Sequence, residues 1–131
     1  MIPADLFKAA RAAMRQAHAP YSKFPVGAAI LTDSGKVFSG CNIENAAYPE
    51  GWCSETTAIA HMVMAGETKI AEVAVVAEKM PLITPCGGCR QQLREFGTAE
   101  TLVHLCDENG VAETVTLGDL LPKAFGLKAR G

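Results

Sequence analysis

The stretch IAEVAVVAE, residues 70–78, is valine-rich and apolar at positions of both parities, so a strand built from it presents apolar side chains to both faces of a sheet. Such a strand belongs mid-sheet, with a covering layer on each side. Upstream of it, SETTAIAHMVMA (54–65) carries Ile59, Met62 and Val63 at helical spacing and runs into Gly66, a natural left-handed helix stop. Downstream, residues 87–96 read as a helix stopped by Gly97, and TLVHLC (101–106) and VAETVT (111–116) read as strands around the turn DENG. Nearer the N-terminus, VGAAILT (26–32) and KVFSGCNIE (36–44) flank Asp33, Ser34 and Gly35, the pattern of a hairpin. From Pro3 to His18 the positions Leu6, Ala10, Ala13 and Ala17 recur with helical spacing, Pro3 suits a first turn and Pro20 blocks continuation. The tail DLLPKAFG (119–126) allows one short helical turn. Helices interleaved with five strands predict an α/β fold, a three-layer α/β/α domain with a five-stranded mixed sheet.

A chain of 131 residues suits a single domain, 1–131, that encloses a core without disulfide staples. Net charge is −2, so there is no basic field for a polyanionic backbone and nucleic acid is not the expected partner. The N-terminal run breaks its apolar residues with Asp5, Lys8, Arg11 and Arg15, unlike a signal peptide or a membrane span. A cytoplasmic protein is expected, with no membrane partner. The apolar share is 49 % and mean hydropathy is +0.14, which fits buried contacts between subunits.

Chemistry concentrates in the cysteines. Five is an odd count for a disulfide framework, and in a reducing compartment a C-x-x-C pair points to metal or redox chemistry. Cys53 immediately precedes the second predicted helix, and Cys86 and Cys89 open the third. Helix N-termini favour thiolate over thiol, and thiolate is the form that binds zinc. Three thiolates around Zn²⁺ leave one tetrahedral position for water, the mark of a catalytic site. Two plainer readings stand beside this one. The pair could be redox-active, although the order of elements differs from thioredoxin-like proteins. The metal could instead be closed by Cys41, Cys106, His61 or His104 as a fourth ligand. Strand alternation turns Cys41 away from Asn42 and Glu44, Cys106 reads as core filler, and the two histidines read as packed or surface residues. Glu55 adds weight to the open site, because it leads the buried stripe of Ile59 and Met62 and an unpartnered buried carboxylate is costly. Glu55 alone could be a dipole-stabilising glutamate. In regular helix geometry Cys53 and Glu55 project roughly 200° apart, so both face one ion only if it lies off the helix end.

With C-S-E at 53–55 and P-C-G-G-C at 85–89, the chain resembles the small, homotetrameric, zinc-dependent cytidine deaminases. The likeness extends through YSKFPVGAA (21–29), NIENAAY (42–48), TAI (57–59), PCGGCRQ (85–91) and LLPKAFG (120–126). The resemblance implies that Cys53, Cys86 and Cys89 bind one zinc per subunit and that Glu55 shuttles protons while cytosine loses ammonia. It also implies that Asn42 and Glu44 hold the ribose, that Phe24 stacks on the base, and that Ala46, Tyr48 and Phe125 approach from neighbouring subunits. Ser54 is counted with the substrate contacts, and Tyr21 is a further lining candidate. Without the likeness, Phe24 and Phe125 would be ordinary core aromatics and Asn42 and Asn45 ordinary turn residues.

One departure stands out. The family usually reads C-A-E-R where this chain has Ser54 and Thr56. Three thiolates and Zn²⁺ sum to −1, and uncompensated negative charge makes a bound water harder to ionise; Arg90, next to Cys89, is a candidate to supply positive charge. The leading expectation is hydrolytic deamination of cytidine and 2′-deoxycytidine in pyrimidine salvage. A deaminase of a modified or antibiotic cytosine nucleoside is the alternative that Ser54, Thr56 and Trp52 suggest. A noncatalytic zinc-stabilised assembly module is the alternative from another class.

Overall fold

The computed structural model describes residues 2–127. Among them run α1 (Pro3–Met14), β1 (Val26–Thr32), β2 (Val37–Cys41), a 3-10 turn (Tyr48–Glu50), α2 (Ser54–Met64), β3 (Ile70–Ala77), α3 (Gly87–Phe96), β4 (Leu102–Asp107), β5 (Gly110–Thr116) and α4 (Leu117–Leu120). The strands form one mixed sheet in the order β2-β1-β3-β4-β5. As its composition predicts, β3 is the middle strand, antiparallel to β1 and parallel to β4.

Alternation along β3 sorts the two cores. Val73 and Val75 join Ala28, Ile30, Val103 and Leu105 beneath α2 and α3, where Ala58, Ile59, Met62 and Leu93 are buried. Ala74 and Val76 face the other way, with Ala29 and Cys106, against Leu6, Phe7, Ala10 and Met14 of α1. Each large side chain so buried contributes about 1.5–3 kcal/mol. The result is the expected three-layer α/β/α arrangement, with α2 and α3 side by side on one face.

Three boundaries differ from the sequence expectation. Helix α1 ends at Met14, not His18, because His18 is claimed by tertiary pairing: its N–H donates to the Asn42 carbonyl and its own carbonyl accepts from Glu44. Strand β2 stops at Cys41, and Asn42–Glu44 continue as an extended segment whose Ile43 bridges His18 on one side and Trp52 on the other. Helix α4 begins at Leu117, upstream of the tail segment expected to turn, because Thr116 and Asp119 close a reciprocal capping box. The termini of α2 and α3 fall within one residue of their predicted positions, and Gly66 after α2 takes φ +87°.

Gly40 decides where α2 sits. A Cβ on it would lie 2.4 Å from the Ala58 nitrogen and 2.6 Å from the Ser54 carbonyl oxygen, so only a bare backbone lets the first turns of α2 lie against β2. Gly40→Ala is expected to lower stability by about 1–3 kcal/mol, the usual cost of overpacking. Thermal unfolding of the variant beside the wild-type chain checks this; an unchanged midpoint would refute the close-approach account.

Candidate active site

The helices of the α2/α3 layer begin at the same end of the sheet, and each begins on a cysteine. Cys53 is the N-cap of α2 and Cys86 the N-cap of α3, both in extended conformation with no side-chain capping bond. Their carbonyls accept the first helical hydrogen bonds, from Thr57 at 3.1 Å and Arg90 at 3.0 Å. Buried Pro85 fixes the approach to Cys86, and Cys89 lies in the first turn of α3. The three Sγ atoms lie within 4.8 Å of one another, with Cys53 and Cys86 at 3.9 Å.

The trio shares its protons unevenly. Donation from the Cys89 thiol pulls the Cys53 pKa down to about 6, against the effect of burial. The pKa of Cys89 is driven upward by the same contact and by burial. One thiolate steadied by neighbouring S–H donors, at two positive helix ends, is a ready soft-metal site. This donor set suits zinc. The other candidate ligands are engaged elsewhere: Cys106 is buried in the α1-side core, His104 bonds Glu72 at 2.7 Å and Thr114 at 2.8 Å, and His61 packs edge-on against Phe38. Among the described residues the cluster of mutually close ligand atoms comprises Cys53, Cys86 and Cys89, without Cys41, Cys106 or a histidine.

A cavity of about 390 Å³ adjoins the sulfurs, and Asn42, Glu44, Tyr48, Ser54 and Glu55 share its wall with Cys53, Cys86 and Trp52. Glu55 is only 3 % exposed. Burial pushes its carboxyl pKa up, and the Ser54 hydroxyl, donating to Oε1 at 2.8 Å, works against that rise. Cys53 and Glu55 thus line one cavity beyond the start of α2.

Asn42 and Glu44 also grip their own chain. Asn42 Oδ1 accepts from the Val26 N–H at 2.9 Å and its Nδ2 donates to the Phe24 carbonyl at 2.9 Å. Glu44 accepts from the N–H groups of Tyr21 (2.9 Å) and Ser22 (3.1 Å) and from the Ser22 hydroxyl. These bonds, Ser22 first, hold the Glu44 carboxyl below its usual pKa. Ser22 in turn accepts from the Phe24 N–H at 3.1 Å. Sequence reasoning passed over Ser22; its only signal was a small hydroxyl between two aromatics in YSKF. Phe24 is half-buried beside this loop, off the cavity wall, and Ala46 is exposed. Tyr21 lines an adjoining cavity of about 380 Å³ that also touches Glu44 and Tyr48. Phe125 lies apart on the tail, 70 % exposed, its carbonyl held by Gln91 at 3.1 Å. Asn45 does behave as a turn residue, accepting from the Ala47 N–H.

Comparison with known proteins agrees with this geometry. The family model described as the cytidine and deoxycytidylate deaminase zinc-binding region matches residues 3–105. The chain belongs to this deaminase family. A cytidine deaminase of Sporosarcina psychrophila is 43 % identical over 120 residues, 92 % of this chain and 88 % of that protein. The crystal structure of cytidine deaminase from Burkholderia pseudomallei superposes with a TM-score of 0.90 at 46 % identity, covering 95 % of this chain and 100 % of the other. That of Mycobacterium tuberculosis superposes at 0.84 with 39 % identity, covering 94 % and 96 %.

For this deaminase-family chain, one zinc per chain is expected in the purified protein, and Cys86→Ala is expected to lose it on dialysis. Metal analysis by atomic absorption decides; zinc retained at full stoichiometry in Cys86→Ala would remove Cys86 from the ligand set.

Proposed function

We propose that this chain hydrolytically deaminates cytidine and 2′-deoxycytidine to uridine and 2′-deoxyuridine with release of ammonia. The observation that carries the reading is a buried carboxylate on the wall of the same cavity as three converging sulfurs. Family membership supports the reaction type.

Cys53, Cys86 and Cys89 would hold the zinc, which when bound supplies Lewis acidity that lowers the pKa of water to about 7. Glu55 carries protons: its carboxylate takes one from the attacking water and gives it to ring N3, then takes the remaining proton from the hydroxyl added at C4 and gives it to the amino group leaving C4. The C4–N bond breaks, a C4–O bond takes its place, and ammonia departs. Walls formed by Val26, Val75 and Ile83 limit bulk water around the carboxylate and strengthen its interactions. Asn42 and Glu44 have oxygen lone pairs and an amide hydrogen left over for sugar hydroxyls, because each grips the 21–26 loop with only part of its bonding capacity. The family likeness supports Phe24, on that loop, as the ring that stacks on the base, although in the single chain it lies off the cavity wall. Ala46, Tyr48 and Phe125 complete the site in a homotetramer; supporting this, Tyr48 is 76 % and Phe125 70 % exposed in the single chain, a poor arrangement for aromatics left in water. Tyr48 also lines the cavity of its own chain, so it borders the seam between copies. The domain spans 1–131 and works in the cytoplasm, where its free cysteines stay reduced. Among the described residues no helix is long and apolar enough to cross a membrane.

The substrate is a nucleoside, not its phosphate. Among the described residues the cavity lining includes Glu44 and Glu55 but no lysine or arginine, so a 5′-phosphate meets negative charge with nothing to pair it. Cytidine is expected to lose its long-wavelength absorbance on adding the protein, and deoxycytidylate to turn over far more slowly. No absorbance change with cytidine at high protein concentration would reject the function. Glu55→Gln is expected to keep zinc and lose about 10²- to 10⁴-fold in rate, as removal of a general acid–base does; near-normal turnover would remove Glu55 from that role.

A further inference from the structure

Ser54 is a buried hydroxyl beside the proton carrier that the function so far leaves unused. It is 1 % exposed, and its position as the first residue of α2 would allow it to serve the helix. It does not: the capping position belongs to Cys53, and the Ser54 hydroxyl bonds forward to Glu55 Oε1 at 2.8 Å. A hydroxyl that lines the substrate cavity and donates to a carboxylate there has its one hydrogen committed.

We propose that Ser54 is a positioning residue, whose hydroxyl pins one oxygen of the Glu55 carboxylate so that the other is presented to the cavity. This rests on the reading of Glu55 as the proton carrier. A glutamate side chain has three torsions, and its terminal one is broad and nearly two-fold. Besides Ser54, the carboxylate receives a bond from the Glu55 backbone N–H, which ties it to the helix start, and the apolar walls of Val26, Val75 and Ile83 do not fix its plane. The Ser54 hydroxyl, at 2.8 Å from Oε1, adds the side-chain hold that selects one oxygen. The Cys89 thiol also reaches the carboxylate, but a thiol that ligates metal has lost its proton and ceases to donate. Ser54 keeps its hydrogen whatever the metal does. Division of labour between two oxygens suits a group that must receive and release a proton at one place: the pinned oxygen holds geometry, and the free one works. Geometry of this kind acts on the chemical step, since misplacement of about 1 Å can cost about 10²-fold in rate.

The test is a kinetic cycle on zinc-loaded protein with cytidine, using Ser54→Ala, Glu55→Gln and the double variant, with zinc content and thermal midpoint measured for each. Ser54→Ala is expected to lower kcat about 10- to 100-fold, leave KM within about two-fold and retain zinc. In the Glu55→Gln background the same change is expected to cost almost nothing, because the group it serves is gone. Wild-type kcat in Ser54→Ala overturns the proposal. So does a loss that persists undiminished without the Glu55 carboxylate, which would make Ser54 a direct substrate contact, and so does a rise in KM alone. Loss of zinc or of fold in Ser54→Ala also overturns it, assigning the hydroxyl to the architecture of α2. Near-normal turnover of Glu55→Gln would instead sink the proton-carrier reading itself, a separate outcome.

Discussion

Two helix N-termini meet beyond one end of the sheet, and the structure around the cavity is organised by that meeting. Each helix start carries roughly half a positive charge and several N–H groups without helical partners. Brought side by side, two such ends repel unless something negative lies between them. Cys53 and Cys86 occupy the two N-cap positions with their sulfurs 3.9 Å apart, and Cys89 adds a third from the first turn of α3. The same field that makes the apposition unfavourable when empty makes thiolate favourable when filled. Fold stability and metal affinity are therefore linked at this point, as is general where ligands must be both deprotonated and assembled.

What brings the helix ends together is the sheet beneath them. Valines 73 and 75 of β3 support α2 and α3 from one face while α1 seals the other, and Gly40 lets α2 approach β2 closely enough that its first turn reaches the cavity. Beside the cavity runs a loop with little secondary structure of its own, whose Tyr21 and Ser22 line the adjoining cavity. Residues 21–26 are held by the side chains of Asn42 and Glu44, so two polar residues of the cavity wall also fix the loop that carries Phe24. Ser22 joins the two functions through one hydroxyl, donating to Glu44 and accepting from the Phe24 N–H. Displacing Glu44 thus disturbs the loop as well as the cavity wall.

Much of this was legible in the sequence where a residue type admits one physical use. A two-faced apolar run can only be a central strand, Gly66 marks a left-handed stop, and three cysteines at predicted helix starts imply convergence. The bounds of α1 and β2 were not legible, because pairing of His18 with Asn42 and Glu44 is a contact between distant segments that local periodicity does not encode. Asn42 and Glu44 were legible as pocket residues, yet their hold on the 21–26 loop was not, since hydrogen-bond partners follow from tertiary placement. Ser54 was likewise legible as a pocket residue, while the partner of its hydroxyl, Glu55, was not.

The charge of the sulfur cluster shows what side-chain direction adds. Sequence left two neighbours to consider, Thr56 and Arg90. Thr56 donates to Gln92 Oε1 at 2.7 Å, a neutral tie between α2 and α3 that brings no charge. Arg90 points its Nε to the Pro85 carbonyl at 2.8 Å and its Nη1 to the Leu120 carbonyl at 2.8 Å. The first of these bonds is made to the peptide group that joins Pro85 to Cys86. A guanidinium bonded to the oxygen of a peptide draws electron density from its nitrogen, so the Cys86 N–H becomes a stronger donor at the mouth of α3. The second bond of Arg90 ties the tail that leads to Phe125 to the same helix. Neither side chain reaches the sulfurs directly, so what the two helix starts offer the cluster is main-chain dipole, held in register by α2 and α3.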